Sequence, residues 1–483
     1  MFYMHYMLKK KYLLLLLLAA GFAIFYSACK DSTEIVDEKV SKPDKPTYDL
    51  EEILAAGKLR ALIDNSSTSY FVYKGTPMGY EYELLNRFAE HIGVGLEVIP
   101  IKDMNEVIAD LQQMQGDIIA ANFTITKERA QKVSFSESLI ASPQVLVQNT
   151  ANEIIESPSE IDGHEVYVRK SSSFYSRLQN LSEEIGGKIH IREVAGNVSV
   201  EKLIEDVSKG EIPLTVADEH VAKINRAFYS NIHISTPISL EQQMAWAVRK
   251  ESPNLLIAIN EWLEDFKRTV DFRVIYLKYY GNTKLYRSRI NSELFTAKSG
   301  QISPYDEIVK AQSEKIGWDW RLISALIYQE SQFDPQAQSW AGAQGLMQLM
   351  PETAQSYGVD STSGVSANIA AGIKYLSWLD KQFAEKVTDS IERRKFVLAA
   401  YNVGLGHVFD AIRLAEKYNL NPQLWEGNVA EMLLKKAEPD YYTDEVCYYG
   451  YCRGSEPYAY VNQIMGRYLH YKNMTESYAE KWG

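Results

Sequence analysis

A change of rhythm near residue 280 divides this chain. Before it, short apolar runs alternate with helical patterns. "LRALID", "LEVIPI", "IIAANF", "QVLVQ", "EVYVR", "LTVAD" and "MAWAVR" read as strands, and residues 79–91, 198–208 and 253–267 read as helices. Such alternation specifies an α/β fold with largely parallel sheets. Sustained from Leu59 to about Tyr280, it predicts two lobes with a cleft between them. Residues 282–303 hold no sustained period and are read as a linker. Beyond Pro304 the strand signals vanish. Helical patterns follow at 304–316, 320–331, 351–357, 368–383, 391–402 and 408–418, so this half is expected to be all-α. A multidomain chain fits its 483 residues, since one core rarely grows that large.

The N-terminus carries a different signal. Lys9, Lys10 and Lys11 precede "YLLLLLLAAGFAIFYSAC", a positive region, an apolar region and small residues in the order of a secretory signal. The Ser27-Ala28-Cys29 ending resembles a bacterial lipobox, with Tyr26 where that pattern prefers Leu or Val. The resemblance implies a lipoprotein signal peptide over 1–28 and a lipidated Cys29. Residues 29–48, charged and with Pro43 and Pro46, are then a flexible tether. An uncleaved transmembrane anchor is the other reading of the same run. Either way the remainder lies outside the cytoplasm. In such a compartment Cys447 and Cys452 are expected to close a small disulfide loop around "YYGY", with two free thiols as the alternative. Zinc is not expected, since a site wants four ligands and no His lies nearby. No cofactor is implied. The net charge of −12 argues against a nucleic-acid partner.

Within the helical half one acid stands out. Ile316, Trp320, Ile323, Ile327 and Glu330 are spaced by four, three, four and three, which puts Glu330 at the end of an apolar helical stripe. Asp319 is placed to cap the helix and Pro335 to stop it. A carboxyl half-withdrawn from water has a raised pKa, as a general acid requires. A Glu fraying into solvent is the plainer alternative. The context is "ESQFDPQAQSWAGAQGLMQLMPETA", then "AAYNVGLGHV", then "EPYAYVNQI". These three blocks resemble the lytic transglycosylases of the goose-type-lysozyme-like superfamily over roughly Ser303 to the C-terminus.

That resemblance implies an all-α lysozyme-like domain over 304–483 with Glu330 as its sole catalytic acid/base. It also implies that Ser339, Gln348 and Met350 line the sugar cleft, that Tyr401 and Asn402 face the acid, and that Glu456 and Tyr460 complete the site. Val403 and Pro457 depart from the family's usual Ala and Thr. Gly342 and Gly345 let backbone approach a sugar. Ordinary glycosidases need two carboxylates. Only one is evident here, because Asp334 before Pro335 reads as a turn residue. In the resembled family the C6 hydroxyl of N-acetylmuramic acid attacks its own anomeric carbon, an intramolecular step that needs no base to activate water. A plain hydrolase stays open if water reaches the site.

The first half resembles the family-3 extracellular solute-binding proteins, through "GYEYELLNRFAEHIG", "TITKERAQKVSFSESL" and "LTVADEH". This implies a two-lobed periplasmic-binding-protein-like domain over 49–281. Arg129 and Thr124 would hold a ligand carboxylate and Asp218 its ammonium. Lobes kept only as scaffold are the alternative. Both halves behind a lipid anchor resemble the membrane-bound lytic transglycosylase F group. The implied partners are peptidoglycan strands, an amino-acid or muropeptide ligand, and a membrane. The implied place is a Gram-negative cell envelope, on the outer membrane facing the periplasm. A competing reading is a non-catalytic lipoprotein receptor whose helical half only grips glycan.

Overall fold

The computed structural model describes residues 48–170, 172–360 and 363–482. The signal peptide, Cys29 and nearly all of the tether lie outside the described residues. In the first half, strands β1 (Lys58–Ile63), β2 (Gly95–Pro100), β3 (Ile118–Ala120), β4 (Ser134–Phe135), β5 (Gln144–Asn149), β6 (Glu165–Arg169), β7 (His190–Val194), β8 (Leu214–Asp218), β9 (Ile232–Pro237) and β10 (Ala247–Val248) build two sheets. Their orders are β2-β1-β3-β10-β4 and β7-β6-β8-β5-β9. The pairs β1/β2, β1/β3, β6/β7 and β6/β8 are parallel, whereas β5 runs antiparallel to β8 and β9. "QVLVQN" and "LTVAD" are buried along their whole length, as befits strands covered on both faces. "HIREV", a half-exposed edge strand, gave too weak an apolar run to be read from sequence.

Helices α1 (Tyr80–His91), α2 (Val200–Lys209) and α3 (Pro253–Phe266) cover these sheets. α2 shows why the chain folds so locally. Ser199 accepts from the Lys202 amide at 3.1 Å, Gly210 ends the helix in the left-handed region, and Leu203, Ile204 and Val207 form its buried stripe.

Residues 282–303 are folded, contrary to the reading as a linker. α4 (Thr283–Ile290) is capped by Asn282. With the short helix Thr296–Ser299 it puts Tyr286, Ile290, Phe295 and Thr296 in the interior. Lys284, Arg287 and Arg289 interrupt its short apolar pattern, and Arg289 is itself buried, 5.3 Å from the Phe71 ring and 5.2 Å from that of Tyr279.

The second half is helical: α5 (Asp306–Ser313), α6 (Trp320–Ser331), α7 (Pro351–Ser356), α8 (Val365–Phe383), α9 (Ser390–Val403), α10 (Leu405–Lys417) and α11 (Ser455–Trp482). The last of these, 28 residues long, was not anticipated. Val461, Ile464, Tyr471 and Met474 form its buried stripe. It packs on α6 and α9 and continues onto the first half. There Asn473 donates to the Val98 carbonyl, Tyr471 to the Gly75 carbonyl, and Asn65 to Ser477, each at 2.8 Å. Tyr70 and His470 share a hydrogen bond of 2.8 Å. From Tyr48 onward the chain is therefore one compact unit.

The hairpin Phe71–Tyr73/Thr76–Met78 contributes to the same junction. Its turn residue Gly75 has φ +78, and a Cβ there would lie 2.6 Å from both Phe333 and Tyr328 and 2.8 Å from the Tyr471 hydroxyl. Only glycine fits so close an approach at that backbone angle.

Candidate active site

α6 starts at Asp319, whose carboxylate accepts from the Arg321 amide at 2.9 Å, and ends in two left-handed residues, Gln332 and Phe333. Leu322, Ile323, Ala325, Leu326 and Ile327 are buried, so Glu330, one turn further, is drawn to the edge of the core. Its carboxyl accepts a hydrogen bond from the Tyr460 hydroxyl on α11. Burial raises its pKa from the ordinary 4.5 to about 7, although the Tyr460 bond pulls it down. Tyr401 on α9 lies within electrostatic reach and donates to the Met347 carbonyl at 2.6 Å. Near neutral pH this acid divides between its protonated and ionised forms, so it can both give and take a proton.

The loop before α7 forms the other wall. Ser339 closes a turn, its hydroxyl accepting from the Ala343 amide at 3.0 Å. Gln348, also left-handed, donates to the Ala337 and Gly345 carbonyls, both at 2.9 Å, and so braces the loop. Gly345 packs against Asn368, which accepts from the Met347 amide at 2.9 Å. Met350 is 46% exposed and Asn402 is exposed, both free to meet a ligand. Non-glycine residues in the left-handed region cost roughly 1–3 kcal/mol each and gather at functional sites. Gln332 and Phe333, which follow Glu330 at the end of α6, and Gln348 in the loop before α7 are three such residues.

The structure brings Glu330, Tyr401 and Tyr460 together. It leaves Glu456 exposed in the first turn of α11, with no hydrogen bond or ion pair to Glu330 among the described residues. Asp334 is exposed and accepts from the Gln336 amide at 2.9 Å, as a turn residue does. The expected Cys447–Cys452 bridge is not formed. Both residues are free thiols, kept protonated because burial pushes each upward. Their loop is held another way: the Tyr448 and Tyr449 amides donate to the buried Asp410 carboxylate, both at 2.9 Å.

Tyr460→Phe is expected to raise the Glu330 pKa further, since it deletes a bond that stabilises the ionised carboxylate. The alkaline limb of the pH–rate profile should move to higher pH, by about one unit or less. A shift toward acid would contradict this geometry.

In the first half the cleft opens at the carboxyl ends of the strands, where open α/β sheets bind ligands. Arg129 donates to the Thr124 carbonyl at 2.9 Å and lies 4.0 Å from the Phe123 ring centre. Burial lowers its pKa to about 10. Thr124 accepts from Ser173 of the opposite lobe at 3.2 Å. Asp218 ends β8, buried, and desolvation lifts it to about 7. Asp64, Arg169 and Glu201 line the same cleft and were missed in the sequence. The signal was present: Asp64 follows β1 and Arg169 ends β6, as Asp218 ends β8.

Comparison with known proteins agrees with both halves. Residues 59–282 match the bacterial extracellular solute-binding proteins, family 3, and residues 307–423 match the transglycosylase SLT domain. A membrane-bound lytic murein transglycosylase F from Desulfosudis oleivorans is 37% identical over 85% of this chain and 89% of its own. Two from Pseudomonas fluorescens are 32% identical over 88% of this chain and 86% of theirs, and 31% over 94% and 89%. With an acid of this kind in the helical half and a solute-binding fold before it, the chain belongs to the membrane-bound lytic murein transglycosylase F family.

Proposed function

We propose that this lytic murein transglycosylase cleaves the β-1,4 bond between N-acetylmuramic acid and N-acetylglucosamine with Glu330 as its only acid/base. The observation that carries this reading is a buried carboxyl near neutral pKa, paired with a phenol rather than with a second carboxylate. Glu330 first protonates the glycosidic oxygen. The muramoyl C6 hydroxyl then attacks the anomeric carbon and gives its proton to Glu330, which regenerates the acid. The product is a 1,6-anhydromuramoyl end. Ser339, Gln348, Met350, Tyr401 and Asn402 shape the groove, and Tyr460 holds the acid in place. Mass spectrometry of digested peptidoglycan is expected to show ends lighter by one water than hydrolysed ones. Reducing ends alone would make the enzyme a hydrolase.

The first half serves as a sensor in this proposal. Arg129, Thr124 and Asp218 hold a ligand of amino-acid chemistry, free or within a muropeptide, whose binding alters access to Glu330. Rates of wall solubilisation with and without such ligands test this. Arg129→Ala should remove the response and keep the basal rate, and identical rates for the parent protein would end the sensor reading. We place the chain in a Gram-negative envelope, lipidated at Cys29 on the outer membrane and facing the periplasm. No helix among the described residues is long and apolar enough to cross a membrane. Radiolabelled fatty acid should enter the parent chain and not Cys29→Ser.

A further inference from the structure

We infer that the ligand of the first-half cleft is an α-amino acid that carries a second positive charge on its side chain. This rests on the reading above that the cleft binds amino-acid chemistry.

Five charged residues line the cleft: Asp64, Arg129, Arg169, Glu201 and Asp218. Once a ligand's cations ionise all three carboxylates, these outnumber the two guanidinium groups by one negative charge in a confined space. A zwitterion with a neutral side chain leaves that charge uncompensated, and an acidic ligand doubles it. A ligand with one carboxylate and two cations cancels it. Buried charge without a partner is costly, so the cleft discriminates by this balance.

The groups are also divided in space. Asp218 interacts with Arg129 and Arg169, the set suited to an ammonium and a carboxylate on one carbon. Its Oδ1 is buried without a hydrogen-bond partner, and the residue is only 6% exposed. At the other end, Glu201 of α2 reaches across the lobes to Ser67, whose hydroxyl donates to it at 3.1 Å. Burial first, then the nearby Asp64 charge, pushes Glu201 upward. A cation between these two carboxylates would relieve both the desolvation and the repulsion. Ser67 in turn contacts the Tyr286 hydroxyl at 3.1 Å, so this end is fixed from behind by α4.

Calorimetric titration of the full-length protein in detergent tests the inference. L-lysine should bind, and L-norleucine, which lacks only the side-chain ammonium, should bind about 100-fold more weakly. L-glutamate should bind more weakly still. Glu201→Gln should shrink the lysine–norleucine gap to about tenfold or less, mainly by weakening lysine. A tripeptide ending in lysine separates the two sources of this chemistry. Free lysine binding tighter assigns the free amino acid, whereas the tripeptide binding tighter with the same dependence on Glu201 assigns a peptide terminus. If norleucine or glutamate matches lysine, and Arg129→Ala abolishes that binding, the cleft is an amino-acid site and the side-chain inference is wrong. No heat with any of these ligands, and no thermal shift, would overturn both this inference and the sensor reading.

Discussion

Glu330→Gln is expected to lower the rate of peptidoglycan solubilisation by roughly 100- to 10,000-fold, the range that one positioned acid/base supplies. The amide keeps the shape of the side chain and can still accept from Tyr460, so the fold should persist. Stability gives an independent check. The folded-state pKa of Glu330 is raised to about 7 from 4.5. The folded protein thus holds a proton that the unfolded chain has released, and the wild type loses stability as pH rises from about 4.5 to about 7. Below that window the two proteins should differ little. Above it Glu330→Gln should melt at the higher temperature. Near wild-type activity in the variant would remove Glu330 from the chemistry. Parallel melting curves across the window would mean that its carboxyl is solvated.

The second large effect lies away from the groove. Lys436 and Asp410 are both fully buried, 2.5 Å apart, and Asp410 also takes a bond from Arg413 and the two loop amides. Burial alone would lift the Asp410 pKa, but Lys436 and those amides hold it below the usual carboxylate range. Lys436→Met should cost about 3–5 kcal/mol, because it takes the cation from Asp410 Oδ2, which water cannot reach, while Arg413 bonds only Oδ1. Urea denaturation measures this. The double variant Asp410→Asn/Lys436→Met should recover part of the loss, since no fully buried ion then remains and Arg413, which loses its partner, reaches water. A single-variant cost under about 1 kcal/mol would mean that the pair is hydrated in solution.

Much of the architecture was legible because it rests on local periodicity. "EVYVR" and "LTVAD" became strands at the boundaries read from sequence, and α6 spans the residues its stripe indicated. Glu330 was legible for the same reason, because an acid at a core position of a helix is conspicuous. α11 was not, since its inward face mixes tyrosines with aliphatic residues and serves several partners in turn rather than one core. Residues 282–303 were misread because Lys284, Arg287 and Arg289 break the apolar period, although Arg289 is itself buried among rings. Asp64 and Glu201 stayed hidden because only the folded chain brings them into one cleft, 137 residues apart in sequence. Polar sites assembled across tertiary structure leave no period to read. The thiol pair shows the converse error: spacing suggested a covalent clasp where a buried aspartate does the holding.

The turn at Gly75 makes the two halves poor candidates for recombination. Its bare Cα is wedged against Tyr328, Phe333 and Tyr471, so a chain cut between the halves would present that aromatic trio to water. A substitute first half grafted onto the enzyme would have to bring its own hairpin with a residue lacking a side chain at the tip. Once the two halves are joined, such a fit keeps either from being exchanged without the other.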